Sequence, residues 1–366
     1  MLKQKHEAMI AKLAELDTGK AQPLFHTFPV INIFREDEEG KEKNVHEKKE
    51  EDKLLVGKTG MIRGFSEYFK GEAMVCAEAE GADFGDGDGP VDFVIDPDGD
   101  GLTLKSNVSL GYVALKATLG TISRYGMVTN TPSLTQVAVS ANSVTNCAKV
   151  LEAVAAVDEK DSMSRNCYIY DFTEALTDDL SDMKIAVPTD FYGLNLTEPQ
   201  WASFARICTV LQEKGAQLEE VELQWEEDIL PIHEMVAACE KTMNLSGKTG
   251  LSDIDQYDLE LGEYLLNRDN YEIYLKVLKV RSLIKDMFDI LLRDYSLLLV
   301  PFTWSDDIYF AGGNLAGLPA LAMSVTPNDM MGQRNTGAQM IGGANQEKNL
   351  IRAAYAIASA FDKEEK

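Results

Sequence analysis

Positive charge is scarce in this chain. Its 366 residues contain 35 lysines and arginines against 60 aspartates and glutamates, which gives a formal net charge of −25 at pH 7. A surface of this sign repels phosphate backbones, so direct binding of tRNA or DNA is disfavoured. The densest run of lysines, KEKNVHEKKEEDK, is mixed in charge. The composition therefore predicts that nucleic acid is not a direct partner.

Paired cysteines and long apolar runs are also missing. The N-terminal stretch 1–22 is charged and amphipathic, unlike a signal peptide, and no apolar run is long enough to span a membrane. These absences predict a soluble, cytoplasmic protein with no membrane partner. The isolated cysteines favour reduced, mostly buried thiols over a disulfide framework. They are Cys76, Cys147, Cys167, Cys208 and Cys239.

Hydrophobic residues make up 45% of the chain, enough for a sizeable core. Helical and strand-like patterns alternate with short connections. An amphipathic helix over 197–214 ends at Gly215 and is followed by an alternating strand over 217–223. A long helix and a buried strand follow over 271–301. This alternation predicts a layered α/β architecture.

The segment 111–164 joins a turn-rich half to a helical half. Gly120 and Gly126 bracket TISRY, and glycine permits turns that other residues resist. Apolar residues then recur at helical spacing from Val144, with Asn142 or Ser143 as the N-cap.

The order of these pieces resembles the amidase signature family. LKATLG, TISRYGMV, SLTQ and DEKDSMS follow one another as the family's LKPTYG, VSRYGLV, SLDQ and DPxDSTS do. The likeness is greatest to the A subunits of glutamyl-tRNA(Gln) and aspartyl-tRNA(Asn) amidotransferases. It implies a single amidase-signature domain over 1–366, with a mixed central β-sheet covered by helices on both faces. The likeness is weakest over 36–110, where the domain is shortened and degenerate.

The catalytic triad of that family does not align with suitable residues here. Relatives use a lysine as the last proton acceptor, a relay serine, and a nucleophilic serine preceded by backbone N–H groups that hold the oxyanion. Alignment places Ile33, Phe69 and Leu102 at these three positions, and a one-residue shift would replace Leu102 with Thr103. Leucine has no nucleophilic atom. Arg35, the cation nearest Ile33, stays protonated and cannot act as a base. The resemblance therefore implies that the triad is absent.

The family's substrate contacts are also altered. Lys248 stands where relatives have a tyrosine, and Tyr257 or Asp258 stands where they have an arginine. Without that arginine, the carboxylate of an amino-acid substrate loses its bidentate partner. Asp307, which in relatives contacts the substrate amine, is retained as a substrate-binding remnant.

Aspartates concentrate between Asp83 and Asp100. Asp96, Asp98 and Asp100, followed by a glycine, match DxDxDG, the opening of a calcium loop. The twelfth loop position is Asn107 instead of glutamate, and the upstream VDFVI has a strand pattern. An acidic turn is therefore favoured over a metal site, and any Ca²⁺ binding should be weak. No other cofactor is expected.

Two hypotheses of function follow. The first is a non-catalytic relative of the amidotransferase A subunits, that is, a pseudoenzyme serving as a scaffold or partner subunit. Its partner would be an amidotransferase B-type subunit or a second copy of the chain. The second is a hydrolase or ligand-binding protein with a rebuilt, metal-assisted site at Asp83–Asp100.

Overall fold

A single mixed β-sheet organises the fold in the computed structural model. The model describes residues 2–23, 53–65, 72–84, 91–164, 171–191, 194–224, 226–245, 252–303, 308–325 and 336–364. Within these ranges, nine strands join in the order β1-β2-β4-β3-β8-β9-β7-β5-β6. They are β1 (Gly60–Ile62), β2 (Phe93–Asp98), β3 (Val113–Lys116), β4 (Gln136–Ala141), β5 (Lys184–Pro188), β6 (Gln217–Val221), β7 (Leu297–Pro301), β8 (Ala320–Ser324) and β9 (Gly337–Gly342).

The sheet consists of two groups of strands that meet at one pair. Strands β1 to β4 come from the first part of the chain, and β5 to β9 from the rest. They join where β3 runs antiparallel to β8, with Leu115 opposite Leu321. The pairs β1–β2, β5–β6 and β5–β7 are parallel, and the other strand pairs are antiparallel. The predicted mixed sheet is therefore confirmed.

Helices cover both faces of this sheet, as predicted. Alternate residues of each strand point to opposite faces. Leu115 packs in a core with α2, α4, α5 and α10, whereas its neighbour Ala114 packs in a second core with α1, α3 and α6 to α9. The helices are α1 (Leu2–Glu15), α2 (Glu72–Ala79), α3 (Leu102–Ser109), α4 (Val144–Val154), α5 (Glu198–Glu213), α6 (Glu226–Leu245), α7 (Asp253–Leu266), α8 (Tyr271–Asp294), α9 (Ile308–Ala316) and α10 (Glu347–Glu364).

Local signals in the sequence explain where several elements begin and end. Ser143 is the N-cap of α4, and its hydroxyl accepts a hydrogen bond from the Asn146 N–H at 3.2 Å. Gly120 and Gly126 have φ of 89° and 87°, a region that glycine enters without strain. Gly215, after α5, has φ 101°. Across the described ranges, no helix is both long and apolar enough to cross a membrane.

Candidate functional site

The segment that aligns with the family's nucleophile loop connects β2 to α3. It is not a free acidic turn, because β2 continues through Pro97 to Asp98. Gly101 follows with φ 88°, and α3 begins at Leu102. The Leu102 side chain is 60% exposed. An apolar, exposed side chain therefore lies where relatives have their nucleophile.

Carboxylates of the loop occupy its own backbone donors. The N–H groups of Gly101 and Thr103 donate to Asp98 at 3.1 and 3.2 Å, and that of Leu102 donates to Asp100 at 3.0 Å. Carboxylates are stabilised at a helix N-terminus by unpaired N–H groups and the helix dipole. The Gly101 amide, which precedes the nucleophile position as the family's oxyanion donors do, is thus bonded to an acidic side chain of this chain.

Thr103, the alternative to Leu102, does not have the contacts of an activated nucleophile. Its hydroxyl donates to the carbonyl of Pro97 at 2.8 Å. A nucleophilic hydroxyl needs a neighbouring base that takes its proton. Here the proton is directed at a backbone carbonyl, which fastens the first turn of α3 to β2.

A buried ion pair lies directly beneath this loop. Asp98 and Lys116 are 1% and 0% exposed, and Lys116 Nζ is 3.4 Å from Asp98 Oδ2. Lys116 also donates to Asn314, whose amide in turn donates to the carbonyls of Asp98 at 3.1 Å and Leu134 at 2.9 Å. Burial raises the pKa of Asp98, and the charge of Lys116 opposes that rise. The pair ties β2 to β3 and α9.

Asp96 belongs to a separate cluster. Arg63 donates to both Asp96 and Asn107, and the Asn107 amide donates to Ser140 at 2.9 Å. Burial raises the pKa of Asp96 despite the neighbouring Arg63 charge. The contacts of this cluster, through Asn107, hold α3 against β2 and β4.

The structure does not bring Asp96, Asp98 and Asp100 together as metal ligands. Their carboxylates bond to Arg63, to Lys116 and to the Leu102 amide, respectively. In the described part of the chain, no group of three or more histidine, cysteine, aspartate or glutamate side chains is placed to hold a metal ion. The DxDxDG pattern arises here from a strand end and a helix cap.

His233 lies against the same loop, although no motif of the sequence points to it. This α6 side chain is buried, and its Nε2 atom is 2.7 Å from the carbonyl oxygen of Gly99. Burial lowers the pKa of His233, which favours the neutral imidazole. An isolated histidine in a helix has no spacing signal that would predict this contact.

The remaining aligned positions divide into two groups. The Tyr257 hydroxyl forms a 2.6 Å hydrogen bond with His6 Nδ1, and Asp258 accepts one of 2.6 Å from Lys241. Both candidates for the arginine position are therefore engaged with neighbouring side chains. The other positions lie outside the described residues: Ile33, Phe69, Lys248 and Asp307.

The chain matches the family described as Amidase over residues 110–309. It is also 34% identical, over 68% of its length, to the A subunit of the glutamyl-tRNA(Gln) amidotransferase of Lachnospira eligens. This chain belongs to the amidase signature family. The corresponding A subunit of Agathobacter rectalis is 33% identical over 73% of the chain. The chain spans about 60% of the length of these two curated relatives, with 60% and 61% covered.

Solved structures of this family have the same fold. The crystal structure of the glutamyl-tRNA(Gln) amidotransferase A subunit from Thermotoga maritima superposes with a TM-score of 0.68 and 21% identity, covering 84% of this chain and 83% of that one. The native peptide amidase of Stenotrophomonas maltophilia superposes with a TM-score of 0.63 and 17% identity, over 84% of this chain and 83% of that one. The amidase-signature fold predicted from the motifs is thereby confirmed.

Proposed function

We propose that this protein is a non-catalytic member of the amidase family that acts through protein contacts. The observation that carries the proposal is the loop between β2 and α3. Its amides bond to Asp98 and Asp100, and an exposed Leu102 stands at the nucleophile position. A substrate carbonyl that approached this loop would meet occupied donors and two carboxylates, which oppose a developing oxyanion.

The sequence alignment supports the same proposal at two other positions. Ile33 replaces the family's lysine, and Phe69 replaces its relay serine. Serine-type amide hydrolysis needs a nucleophile with a proton acceptor beside it. The buried Asp98–Lys116 pair lies beside this loop. Contacts that stabilise the fold are therefore present at a place where the residues of the family's catalytic triad are not.

The names of the relatives supply the expected kind of partner. Each is named as one subunit of an amidotransferase, which describes one chain of a larger assembly. We therefore infer that the present chain binds a protein, either a B-type amidotransferase subunit or a second copy of itself. A rebuilt hydrolase at Asp83–Asp100 is less favoured, because Asp96 and Asp98 are already paired with cations.

The first experiment measures amide hydrolysis. Purified protein should release no ammonia from glutamine or asparagine and no amine from an aryl amide above the buffer rate. Leu102→Ser should not restore activity, because an unassisted serine hydroxyl is a weak nucleophile. Turnover that elutes with the protein through successive columns and disappears on heat denaturation would contradict the non-catalytic proposal.

The second experiment measures assembly. The chain is co-expressed with the B-type subunit of its own host, and the eluting mass is determined by light scattering. A complex of the two chains, or a defined oligomer of this chain alone, is expected. A monomer in both preparations would contradict the proposed partners. The hydrolysis experiment would still test the non-catalytic proposal separately.

A further inference from the structure

A cavity lies between α1, the start of α6 and the start of α9. Its volume is about 360 Å³. Small-molecule sites typically span roughly 300–1,000 Å³. The apolar part of its wall consists of Ala8 and Met9 from α1, Leu230 and Pro231 from α6, and Ile308 from α9. The cavity is therefore large enough for a small organic molecule and offers it an apolar surface.

The rest of the wall carries an excess of negative charge. Glu226, Glu227 and Asp228 line it together with Lys12. Lys12 Nζ is 2.7 Å from Glu227 and 2.5 Å from Asp228, so its charge is shared by these two carboxylates. Among the wall residues that the structure describes, three acidic groups against one basic group leave a formal charge of −2 when all four are ionised. A cation would offset this charge.

Glu226 is the wall carboxylate that has no cationic partner in the described part of the chain. It is half-buried, and within the described ranges no lysine or arginine pairs with it. Its Oε1 atom accepts a long hydrogen bond of 3.4 Å from the Tyr309 hydroxyl. Burial raises the pKa of Glu226, and the nearby charge of Asp190 adds to that rise. A positively charged group beside Glu226 would offset both the desolvation of its carboxylate and the repulsion from Asp190.

Pro231, another residue of the wall, interrupts the hydrogen bonding of α6. Proline lies inside α6 and has no N–H, so the carbonyl of Glu227 loses the hydrogen bond that residue 231 would normally donate. The three carboxylates make the polar part of the wall rich in acceptors. A complementary ligand carries several N–H donors and a positive charge.

We propose that the cavity binds a small aliphatic primary amine. Its ammonium group would lie at Glu226, and its alkyl chain would pack against Met9, Leu230 and Ile308. An ammonium supplies three donors and one positive charge, and the apolar wall selects for a carbon chain. None of the wall residues that the structure describes belongs to the loop between β2 and α3. The proposed amine site is therefore independent of the proposal that the protein is non-catalytic.

Calorimetric titration of the full chain with hexylamine tests the proposal. Hexanol has the same carbon chain without the charge, and hexanoate reverses the charge. Hexylamine is expected to bind at least about tenfold more tightly than hexanol, because the attraction between opposite charges near a protein surface exceeds a tenfold change in affinity. Hexanoate should bind more weakly than either. Equal affinity for amine and alcohol, or no amine binding at millimolar concentrations, would overturn it.

Two substitutions of opposite sign locate the site. Glu226→Gln keeps the shape and should weaken hexylamine binding at least about tenfold, whereas Lys12→Met removes a competing charge and should strengthen it. The matched control is Glu263→Gln, which makes the same charge change at an exposed position of α7. Equal binding by the Glu226→Gln and Glu263→Gln proteins would place the amine elsewhere and reject this site.

The pH dependence gives a further readout. Because the pKa of Glu226 is raised, lowering the pH protonates it before ordinary glutamates, and amine affinity should fall as it does. Hexylamine itself stays protonated over this range, as a lysine does. Glu227, Asp228 and Lys12 face the same cavity, so the decisive comparison is with Glu226→Gln, in which this early loss of affinity should be absent. An unchanged pH profile in that variant would contradict the role of Glu226.

Discussion

At the residue scale, the clearest feature is a lysine with no exposed surface. Lys116 contacts Asp98 and Asn314 and lies 5.8 Å from the centre of the Phe310 ring. Removing one member of a buried pair leaves the other charge without compensation, which costs far more than loss of a surface pair.

Lys116→Met is therefore expected to lower the free energy of unfolding by about 3–5 kcal/mol. Lys285→Met, which breaks the half-exposed pair with Asp289 on α8, should change it by about 1 kcal/mol or less. Urea denaturation of both variants measures the difference. Similar losses of stability in the two variants would mean that the buried pair contributes no more to stability than the half-exposed pair does.

Burial also determines thiol chemistry. It raises the pKa of Cys147 and Cys239 to about 12 and that of Cys208 to about 11. A raised thiol pKa means that less thiolate is present at a given pH, and thiolate is the reactive form. At about pH 8 these three cysteines should resist Ellman's reagent in the native protein and react after unfolding in urea. Rapid labelling of a Cys147 peptide in the native state would show that the core between α4 and the sheet is open to solvent.

At the scale of elements, the junction of β2 and α3 depends on one glycine. Gly101 has φ 88°, and a Cβ atom at this position would come within 2.5 Å of Phe310 Cβ. Any side chain here would be strained in its backbone and would also collide with α9. The packing of Gly101 against Phe310 holds the amides of residues 101–103 beside the carboxylates to which they donate.

Gly101→Ala should lower the free energy of unfolding by about 2 kcal/mol or more. The matched control is Gly313→Ala in α9, where a Cβ atom meets nothing within 4 Å. That change should be neutral or stabilise the protein by up to about 1 kcal/mol, because alanine favours helix. Thermal denaturation compares the two, and a neutral Gly101→Ala would contradict the assigned strain.

The sequence predicts the elements better than it predicts the contacts between them. Periodicity and the Ser143 cap identify α4, and periodicity with Gly215 identifies α5, since these signals act within a few turns of the chain. The sequence predicts an acidic turn at Pro97 and Asp98, because proline and aspartate are rare in central strands. Burial of Asp98 beside Lys116 overrides the preference for a turn. Lys116 lies 18 residues further along the chain, and no local sequence pattern predicts that pairing. The cavity under α1 has no signal in the sequence either, because its α1 wall lies more than 200 residues from its α6 and α9 walls.

At the scale of the whole molecule, the excess of acidic residues determines the response to polyanions. With a net charge of −25, the chain should not shift tRNA in an electrophoretic assay at about 0.15 M salt. A basic protein of similar mass serves as the positive control. Tight binding that weakens steeply with added salt would show that its 35 basic residues converge on one face.

The junction between β3 and β8 has a consequence for how the protein is made. Once residue 141 has left the ribosome, β1 to β4 can form a four-stranded sheet, but the edge of β3 has no partner. Its partner, β8, is synthesised about 180 residues after β4, at Ala320–Ser324. Throughout that interval the nascent chain carries an open, apolar strand edge, which is prone to pair with other chains. Products that stop short of β8 should therefore depend on chaperones and aggregate without them, whatever the finished protein binds.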